Sequence, residues 1–166
     1  MSAVETERRF IISIPDPELL STKEGYQGSE IEQIYLSTAG ITHRIRRRSF
    51  SDRVEYTETK KQRISGMSAV ETERRITEEE FLSLAKERDR DSMPLLKRRH
   101  AFSYLGRVFE VDVYPLWHKY CIMEVELPSE DCPLELPPFI RVLREITGDF
   151  RYSNASMSKS FPPEPD

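Results

Sequence analysis

Apolar and polar residues alternate with a period of two in eight segments of the chain, which is the pattern of half-buried β-strands. These segments cover residues 4–12, 30–36, 41–48, 53–61, 69–76, 95–102, 107–114 and 120–127. Short connections, such as the turn around Gly106, predict that most neighbouring strands are antiparallel.

Three segments carry helix signals instead. In residues 77–88, Thr77 provides an N-cap and Glu80 completes a capping box ahead of helix-forming residues. Residues 136–147 contain two prolines suited to a first helical turn and end just before a glycine, which predicts a second helix. Residues 16–22 predict a short helical turn. The chain therefore reads as an α+β protein dominated by antiparallel strands.

The polar face of these strands is charged in an ordered way. Acidic doublets at a spacing of two stand on some strands and basic doublets on others, so each doublet points to one side of its strand. The acidic doublets are Glu5 and Glu7, Glu71 and Glu73, Glu110 and Asp112, and Glu124 and Glu126; the basic side chains are Arg44, Arg46, Arg48, Lys97 and Arg99. For a single strand, a solvated polar face is the ordinary explanation. Closing the sheet into a barrel would instead bring the doublets together, where they need ionic partners or bound ions.

An interior of this kind has the chemistry of a polyphosphate site. Closely spaced carboxylates bind hard divalent cations, and arginine and lysine bind phosphate oxygens. Charged residues make up 33% of the 166, yet the net charge is only −4, which argues against a general nucleic-acid-binding surface. The three histidines form no metal-binding or general-base motif, and no serine or cysteine nucleophile motif is present.

The nonapeptide MSAVETERR occurs twice, at residues 1–9 and 67–75. It is too short for a repeat architecture, so we interpret the copies as two strands that direct glutamate pairs into one interior. The second pair would then face the first from elsewhere around the barrel. This role explains the alternating glutamates but not the recurrence of methionine, serine and alanine.

The ordered set of these motifs resembles the CYTH family, the triphosphate tunnel metalloenzymes. That family opens on E-x-E-x-K, and the sequence ETERR at residues 5–9 stands in that place with an arginine where lysine is usual. The resemblance continues in order through IEQIYLS, HRIRRR, YTETKK, ETERRI, LLKRRH, FEVDVY, MEVELPSE and EITGDFRYSN, over nearly the whole chain. It implies an α+β fold in which an eight-stranded antiparallel β-barrel forms a tunnel, with helices packed outside.

The resemblance also implies a role for each charged position. The metal ligands would be Glu5, Glu7, Asp112, Glu124 and Glu126. The triphosphate-binding residues would be Arg9, Arg44, Arg46, Lys61, Lys97 and Arg99. The catalytic residues would be Glu5, Glu7, Glu71 and Glu73, the second pair by orienting water or a second metal ion. Lys60 and Lys61 compete for the family's T-x-K lysine, and strand parity favours Lys61.

The activity implied is hydrolysis of inorganic tripolyphosphate or of an organic or nucleoside triphosphate, with Mg²⁺ or Mn²⁺ as cofactor. Two other functions stay open. A class IV adenylyl cyclase would use the same site with a ribose 3′-hydroxyl as nucleophile, and a non-catalytic polyphosphate or nucleotide sensor would bind without turnover. The intact acidic doublets argue against the sensor, which has no need of metal ligands. A purely structural barrel would leave the buried charge without a use.

We expect one domain over residues 1–158 and a disordered, proline-rich tail over residues 159–166. The sequence shows no apolar run of membrane-spanning length, no secretory signal, and no disulfide or metal pattern in its two cysteines. We therefore expect a cytoplasmic protein whose partner is a small-molecule triphosphate, with no nucleic acid and no membrane involved. The oligomeric state stays open, with a homodimer as one option.

Overall fold

Residues 2–166 are described by a computed structural model and form nine β-strands, three α-helices and one 3₁₀-helix. The strands are β1 (Ser2–Ser13), β2 (Gln27–Leu36), β3 (Thr42–Ser49), β4 (Val54–Arg63), β5 (Ser68–Arg75), β6 (Leu95–Tyr104), β7 (Arg107–Val113), β8 (Tyr120–Leu127) and β9 (Val142–Glu145). The helices are α1 (Pro17–Ser21), α2 (Glu78–Ala85), α3 (Asn154–Lys159) and the 3₁₀-helix Phe150–Tyr152.

Eight of the strands close into an antiparallel barrel. Their order is β5-β4-β3-β2-β6-β7-β8-β1, and pairing of β1 with β5 completes the ring. Strand β1 pairs with β5 through residues 2–6 and with β9 through residues 10–12, while β8 pairs with it from Thr6 to Ser13. The eight strands predicted from the alternation and the eight-stranded antiparallel barrel implied by the family resemblance are confirmed, and β9 lies outside the ring as an added strand.

Residues 136–147, predicted as a helix, contain a turn at residues 138–139 and strand β9 instead, so the prediction is wrong there. Strand β9 pairs Val142 with Ile12 and Glu145 with Phe10. It covers the part of β1 that β5 does not reach, so its backbone satisfies donors and acceptors that would otherwise be exposed at that edge. Arg8 and Glu145 reinforce the pairing with a 2.6 Å ion pair. Tertiary pairing has overridden the local helix signals.

The other two helix predictions are confirmed. Thr77 caps α2 through a reciprocal capping box, in which Glu80 N donates to Thr77 Oγ1 at 3.1 Å and Thr77 N donates to Glu80 Oε2 at 2.8 Å. The helix ends at Ala85, earlier than expected. Phe81 of α2 packs with Tyr56 against the outside of β2 and β3. Helix α1 is the predicted short turn.

Apolar side chains also fill one end of the barrel interior. Ile11 and Ile122 share the inward faces of their strands with charged neighbours two residues away and are fully buried. They pack with other buried residues in one cluster: Leu95, Tyr114, Trp117, Ile146, Tyr152 and Met157. We call this cluster the apolar plug. It closes one end of the barrel, and the charged interior lies beyond it.

The last residues of the chain, for which the sequence favours disorder, lie along the β7–β8 connection. Phe161 packs on the rings of Tyr114 and Trp117. Trp117 Nε1 donates to the carbonyl of Pro162 at 3.0 Å. The Glu164 carboxylate accepts from three consecutive backbone N–H groups in that connection. Among residues 2–166, no helix combines the length and the apolarity that a membrane span requires.

Candidate functional site

The barrel carries opposite charge on its two halves. Most inward acidic side chains stand on four consecutive strands, β7, β8, β1 and β5, whereas most inward basic side chains stand on β4, β3 and β6 in the other half. The exceptions that line the cavity are Arg9 on β1 and Glu55 on β4. Between β3 and β6, strand β2 contributes the neutral Gln33 and Ser29, both fully buried. Because β3 lies across the ring from β8, the arginines of one half face the carboxylates of the other.

These side chains surround a cavity of about 620 Å³. Ten of the thirteen site residues predicted from the sequence line it: Glu5, Glu7, Arg9, Arg44, Arg46, Lys61, Glu71, Glu73, Arg99 and Glu124. A cavity of this size matches pockets that enclose small molecules. Lys61 lines the cavity while Lys60 is exposed, which agrees with the parity argument.

Three predicted site residues do not line the cavity. Lys97 and Asp112 are buried between it and the apolar plug, with side chains 0% and 1% exposed. Glu126 is exposed, and burial together with the negative charges of Glu5 and Glu110 raises its pKa. Glu126 lies opposite Glu7 in the pairing of β1 with β8, at the rim of the acidic half.

Other lining residues were given no role from the sequence. Arg48 and Glu110 line the cavity; both belong to the charged doublets, but the family resemblance assigned them no function. Tyr35, on the inward face of β2, lines it as well. The segment 147–156, called the closing segment below, supplies eight more lining residues. No local signal reveals that role, because it depends on contacts with strands far away in sequence.

Arg9 holds the closing segment over the barrel. Its Nη1 donates to the Tyr152 carbonyl at 2.8 Å, and its backbone N–H donates to Thr147 Oγ1 at 3.0 Å. Gly148 adopts a φ of 77°, a conformation that favours glycine, and lies against Gly66 in the β4–β5 turn. A lysine at position 9 could not reach both Glu124 and a carbonyl in this forked way.

The two copies of the repeat are neighbours and do not face each other from separate parts of the barrel. They pair antiparallel about Val4 and Val70, so Ala3 lies opposite Glu71 and Glu5 opposite Ala69. Glu5 and Glu71 thus each have an alanine side chain beside them on the same face of the sheet. Lys61 Nζ bridges the two glutamates, at 2.8 Å from Glu5 and 3.2 Å from Glu71.

The recurrence of serine has a structural reason as well. The same pairing brings Ser2 opposite Thr72 and Thr6 opposite Ser68. Their hydroxyls hydrogen-bond at 2.9 Å in the first pair and 2.7 Å in the second. The motif is therefore self-complementary when two copies pair antiparallel. Met1 lies outside the described residues.

Glu7 is the most perturbed carboxyl group that lines the cavity. Burial and the negative charge of Glu124 raise its pKa to about 8, although Lys61 and Arg9 oppose the change. Burial also raises the pKa of Glu5, despite the ion pair with Lys61. A bound cation would favour the ionised form of both groups.

The basic half is crowded with positive charge. Burial and the charges of Arg44 and Arg99 lower the pKa of Arg46 to about 9. Arg46 donates to Gln33 Oε1 at 2.7 Å, and Arg48 donates to Ser29 Oγ at 2.9 Å, so neutral residues hold both side chains in place. The Nε of Arg44 is buried without a hydrogen-bond partner. A polyanion in the cavity would relieve this repulsion and supply acceptors.

Arg99 links the two halves. Its Nε and Nη2 each donate to Asp112 at 2.8 Å in a bidentate pair, and its Nη1 donates to Glu110 at 2.7 Å. Lys97 Nζ lies 2.7 Å from the same Asp112. Burial alone would raise the pKa of Asp112, but the positive charges of Arg99 and Lys97 hold it well below its usual range. Arg9 and Arg99 likewise lower the pKa of the buried Glu124 to about 2.

A divalent cation would find suitable donors only on part of the acidic wall. In residues 2–166, no three carboxylate or imidazole groups converge as a ready metal site. The donor chemistry of Glu5 and Glu7 nevertheless fits a hard cation, because both are half-buried carboxyl groups that line the cavity and have raised pKa values. Asp112 does not fit in this arrangement, since arginine and lysine occupy both of its oxygens.

Comparison with solved structures identifies relatives of this barrel. The inorganic triphosphatase NE1496 is 27% identical, with a TM-score of 0.59 and coverage of 95% of this chain and 96% of that chain. HpAC1 from Hippeastrum, a putative adenylyl cyclase with a dominant triphosphatase activity, is 15% identical (TM-score 0.52; 74% and 80% covered). A putative adenylate cyclase from Bacillus halodurans is 17% identical (TM-score 0.51; 78% and 83% covered). The last two show a likeness of fold alone.

No protein-family model matches the sequence, and the search of curated proteins gives no match. The closed eight-stranded barrel, the opposed acidic and basic strands within it, and the full-length similarity to a triphosphatase nevertheless agree with the sequence motifs. The fold, the sequence motifs and the similarity to this triphosphatase are consistent with the CYTH family of triphosphate tunnel proteins.

Proposed function

We propose that this protein hydrolyses a triphosphate inside the barrel with the help of a divalent cation. The observation that carries the proposal is the division of one cavity into a mainly basic and a mainly acidic half. A triphosphate has the charge and length to lie along the arginines while its oxygens reach toward the glutamates. The similarity to an inorganic triphosphatase over nearly the full chain supports the same activity.

In this proposal the basic half binds and orients the substrate. Arg44, Arg46 and Arg99 donate to phosphate oxygens, and Arg44 Nε has no competing partner among residues 2–166. Lys61 lies between the halves and pairs with Glu5 and Glu71. Because these groups are already positioned, they stabilise the charge of the transition state with little reorganisation.

The acidic half would hold Mg²⁺ or Mn²⁺. Glu5 and Glu7 would hold the cation, with Glu126 at the rim as a further oxygen donor. When bound, such a cation neutralises phosphate oxygens and lowers the pKa of a coordinated water. Glu73 lines the cavity and accepts from Thr59 Oγ1 at 3.2 Å through one oxygen, which leaves its other oxygen to orient an attacking water.

A substrate panel tests the proposal. Tripolyphosphate, thiamine triphosphate, ATP and GTP are each incubated with the purified protein and Mg²⁺ or Mn²⁺, and both phosphate release and cyclic AMP are scored. We expect phosphate release from at least one substrate, without cyclic AMP, and its loss in EDTA. Cyclic AMP from ATP would establish the adenylyl cyclase alternative. Tight binding without any product would establish the sensor.

A further inference from the structure

Asp112 stands at an acidic position that the family resemblance assigns to metal binding, but its surroundings are those of a buried ion pair. Both carboxylate oxygens are occupied: Oδ1 accepts from Arg99 Nε, and Oδ2 lies within 2.8 Å of Arg99 Nη2 and 2.7 Å of Lys97 Nζ. The side chain is 1% exposed. A cation could reach Asp112 only by displacing two buried positive charges, which is a costly exchange.

The position of Asp112 in the barrel points the same way. The inward face of β7 carries Glu110 at the cavity and Asp112 one step deeper, and Tyr114 in the apolar plug follows. On β6, Arg99 lines the cavity, Lys97 is fully buried, and Leu95 belongs to the plug. Asp112 and Lys97 therefore form a charged layer beneath the cavity floor.

Arg99 connects this layer to the cavity, because it pairs with Asp112 and itself lines the cavity. The bidentate pair with Asp112 fixes the plane of the guanidinium, since two parallel hydrogen bonds remove its rotational freedom. The remaining nitrogen, Nη1, donates one N–H to Glu110 at the cavity wall and keeps a second N–H for a phosphate oxygen. A fixed plane presents this donor in one direction before any substrate arrives.

We propose that Asp112, supported by Lys97, is a positioning residue that orients Arg99 for triphosphate binding and is not a ligand of the metal ion. The inference rests on the proposed function, because it assigns Arg99 a triphosphate to bind. It requires no change in the acidic wall, where Glu5 and Glu7 remain the groups that fit a cation.

The test separates anion binding from metal dependence. Affinity for diimidotriphosphate, a tripolyphosphate analogue with nitrogen bridges that resists hydrolysis, is measured by calorimetry once in EDTA and once with Mn²⁺. For Asp112→Asn we expect affinity to fall by about tenfold or more under both conditions, so that the gain due to Mn²⁺ stays as in the unchanged protein. For the control Glu7→Gln we expect the affinity in EDTA to persist and the gain due to Mn²⁺ to be lost.

A metal-ligand role predicts the opposite pattern for Asp112→Asn: unchanged affinity in EDTA and a reduced gain from Mn²⁺. If Asp112 acted on the triphosphate only through its negative charge, Asp112→Asn would bind the analogue more tightly in EDTA, because a repulsive charge has been removed. Either pattern overturns the proposal. A double-mutant cycle with Arg99→Lys adds a second criterion, since Asp112→Asn should have little further effect once the guanidinium is gone, whereas additive effects contradict the proposal.

Removing one charge from a buried pair can prevent folding, so a balanced variant is included. Lys97→Met with Asp112→Asn removes one charge of each sign and is expected to fold and to show the same loss of affinity. Arg99→Lys alone keeps Asp112 paired and must also weaken binding in EDTA; unchanged affinity there overturns the proposal regardless of the other variants. If the unchanged protein binds the analogue under neither condition, the proposed function itself has failed.

Discussion

The first copy of the repeated segment, residues 2–9, pairs with β5 through residues 2–6 and with β8 from Thr6 onward, and its Arg8 also forms an ion pair with Glu145 of β9. The second copy, residues 68–75, pairs with β4, and only residues 68–72 also pair with β1. Identical side chains consequently have different surroundings. Arg9 is 8% exposed, whereas the side chain of Arg75 is 83% exposed and reaches Glu55 only at 3.7 Å.

This difference shows that the motif fixes the direction of its side chains and not their chemistry. Strand parity directs the glutamate pair of each copy toward the barrel interior. Neighbouring strands then decide what each group does: Glu7 lies beside Glu124 in the buried part of the acidic half, while Glu73 is exposed and accepts from Thr59. Matched substitutions in the two copies can therefore separate the role of the motif from that of its environment.

The largest difference is expected between Glu7→Gln and Glu73→Gln in turnover. Loss of a carboxylate that would hold the cation should lower kcat by about 10³-fold, whereas Glu73→Gln should cost about tenfold because it affects only the orientation of water. Phosphate release under saturating substrate measures both. Equal losses would show that the two copies contribute alike and would contradict the comparison.

The pH dependence of stability isolates Glu7 itself. Its pKa of about 8 lies above the ordinary value of 4.5, so the folded protein keeps a proton that the unfolded chain has released between these two values. The metal-free protein should therefore lose stability as pH rises through this window. Urea unfolding in EDTA at several pH values should show a shallower loss in Glu7→Gln. An identical pH profile in the two proteins would mean that Glu7 ionises as it does in the unfolded chain.

A smaller difference is expected between Arg9→Lys and Arg75→Lys. Lysine at position 9 loses the forked contact to Glu124 and the Tyr152 carbonyl, which should lower the free energy of unfolding by about 1–3 kcal/mol. The exposed Arg75→Lys should change it by no more than about 0.5 kcal/mol. Thermal unfolding measures both variants. If Arg9→Lys leaves the free energy of unfolding unchanged, Arg9 does not anchor the closing segment.

The smallest difference concerns the paired hydroxyls. Thr6→Val should destabilise the protein by about 1 kcal/mol, because it leaves the buried Ser68 hydroxyl without its partner. Thr72→Val breaks the equivalent exposed pair with Ser2, where water replaces the lost bond, and should have an effect below about 0.5 kcal/mol. Chemical denaturation resolves these values. The reverse order would show that the local symmetry of the repeat does not set its energetics.

The elements that sequence patterns predicted well are those whose signals are local. Alternation identified the eight barrel strands, and Thr77 with Glu80 located the start of α2. The helix prediction for residues 136–147 failed because β9 pairs with the part of β1 that β5 leaves unpaired. Local helix signals carry no information about an unpaired strand edge that lies far away in the sequence.

The candidate site divides in the same way. Parity correctly pointed Glu5, Lys61 and Arg99 into the barrel, because side-chain direction in a strand is a local property. Parity cannot give depth, and for that reason Asp112 and Lys97 were grouped with residues that line the cavity. The closing segment was missed because only the fold brings residues 147–156 to the barrel.

Phosphate release from tripolyphosphate, measured together with binding of its non-hydrolysable analogue, tests the central claim most directly. With Mg²⁺ the unchanged protein should bind the analogue and hydrolyse tripolyphosphate. In EDTA it should still bind the analogue through the basic half, while hydrolysis stops. Full hydrolysis in EDTA, or no binding under either condition, would contradict a cavity in which one half binds the triphosphate and the other holds the cation.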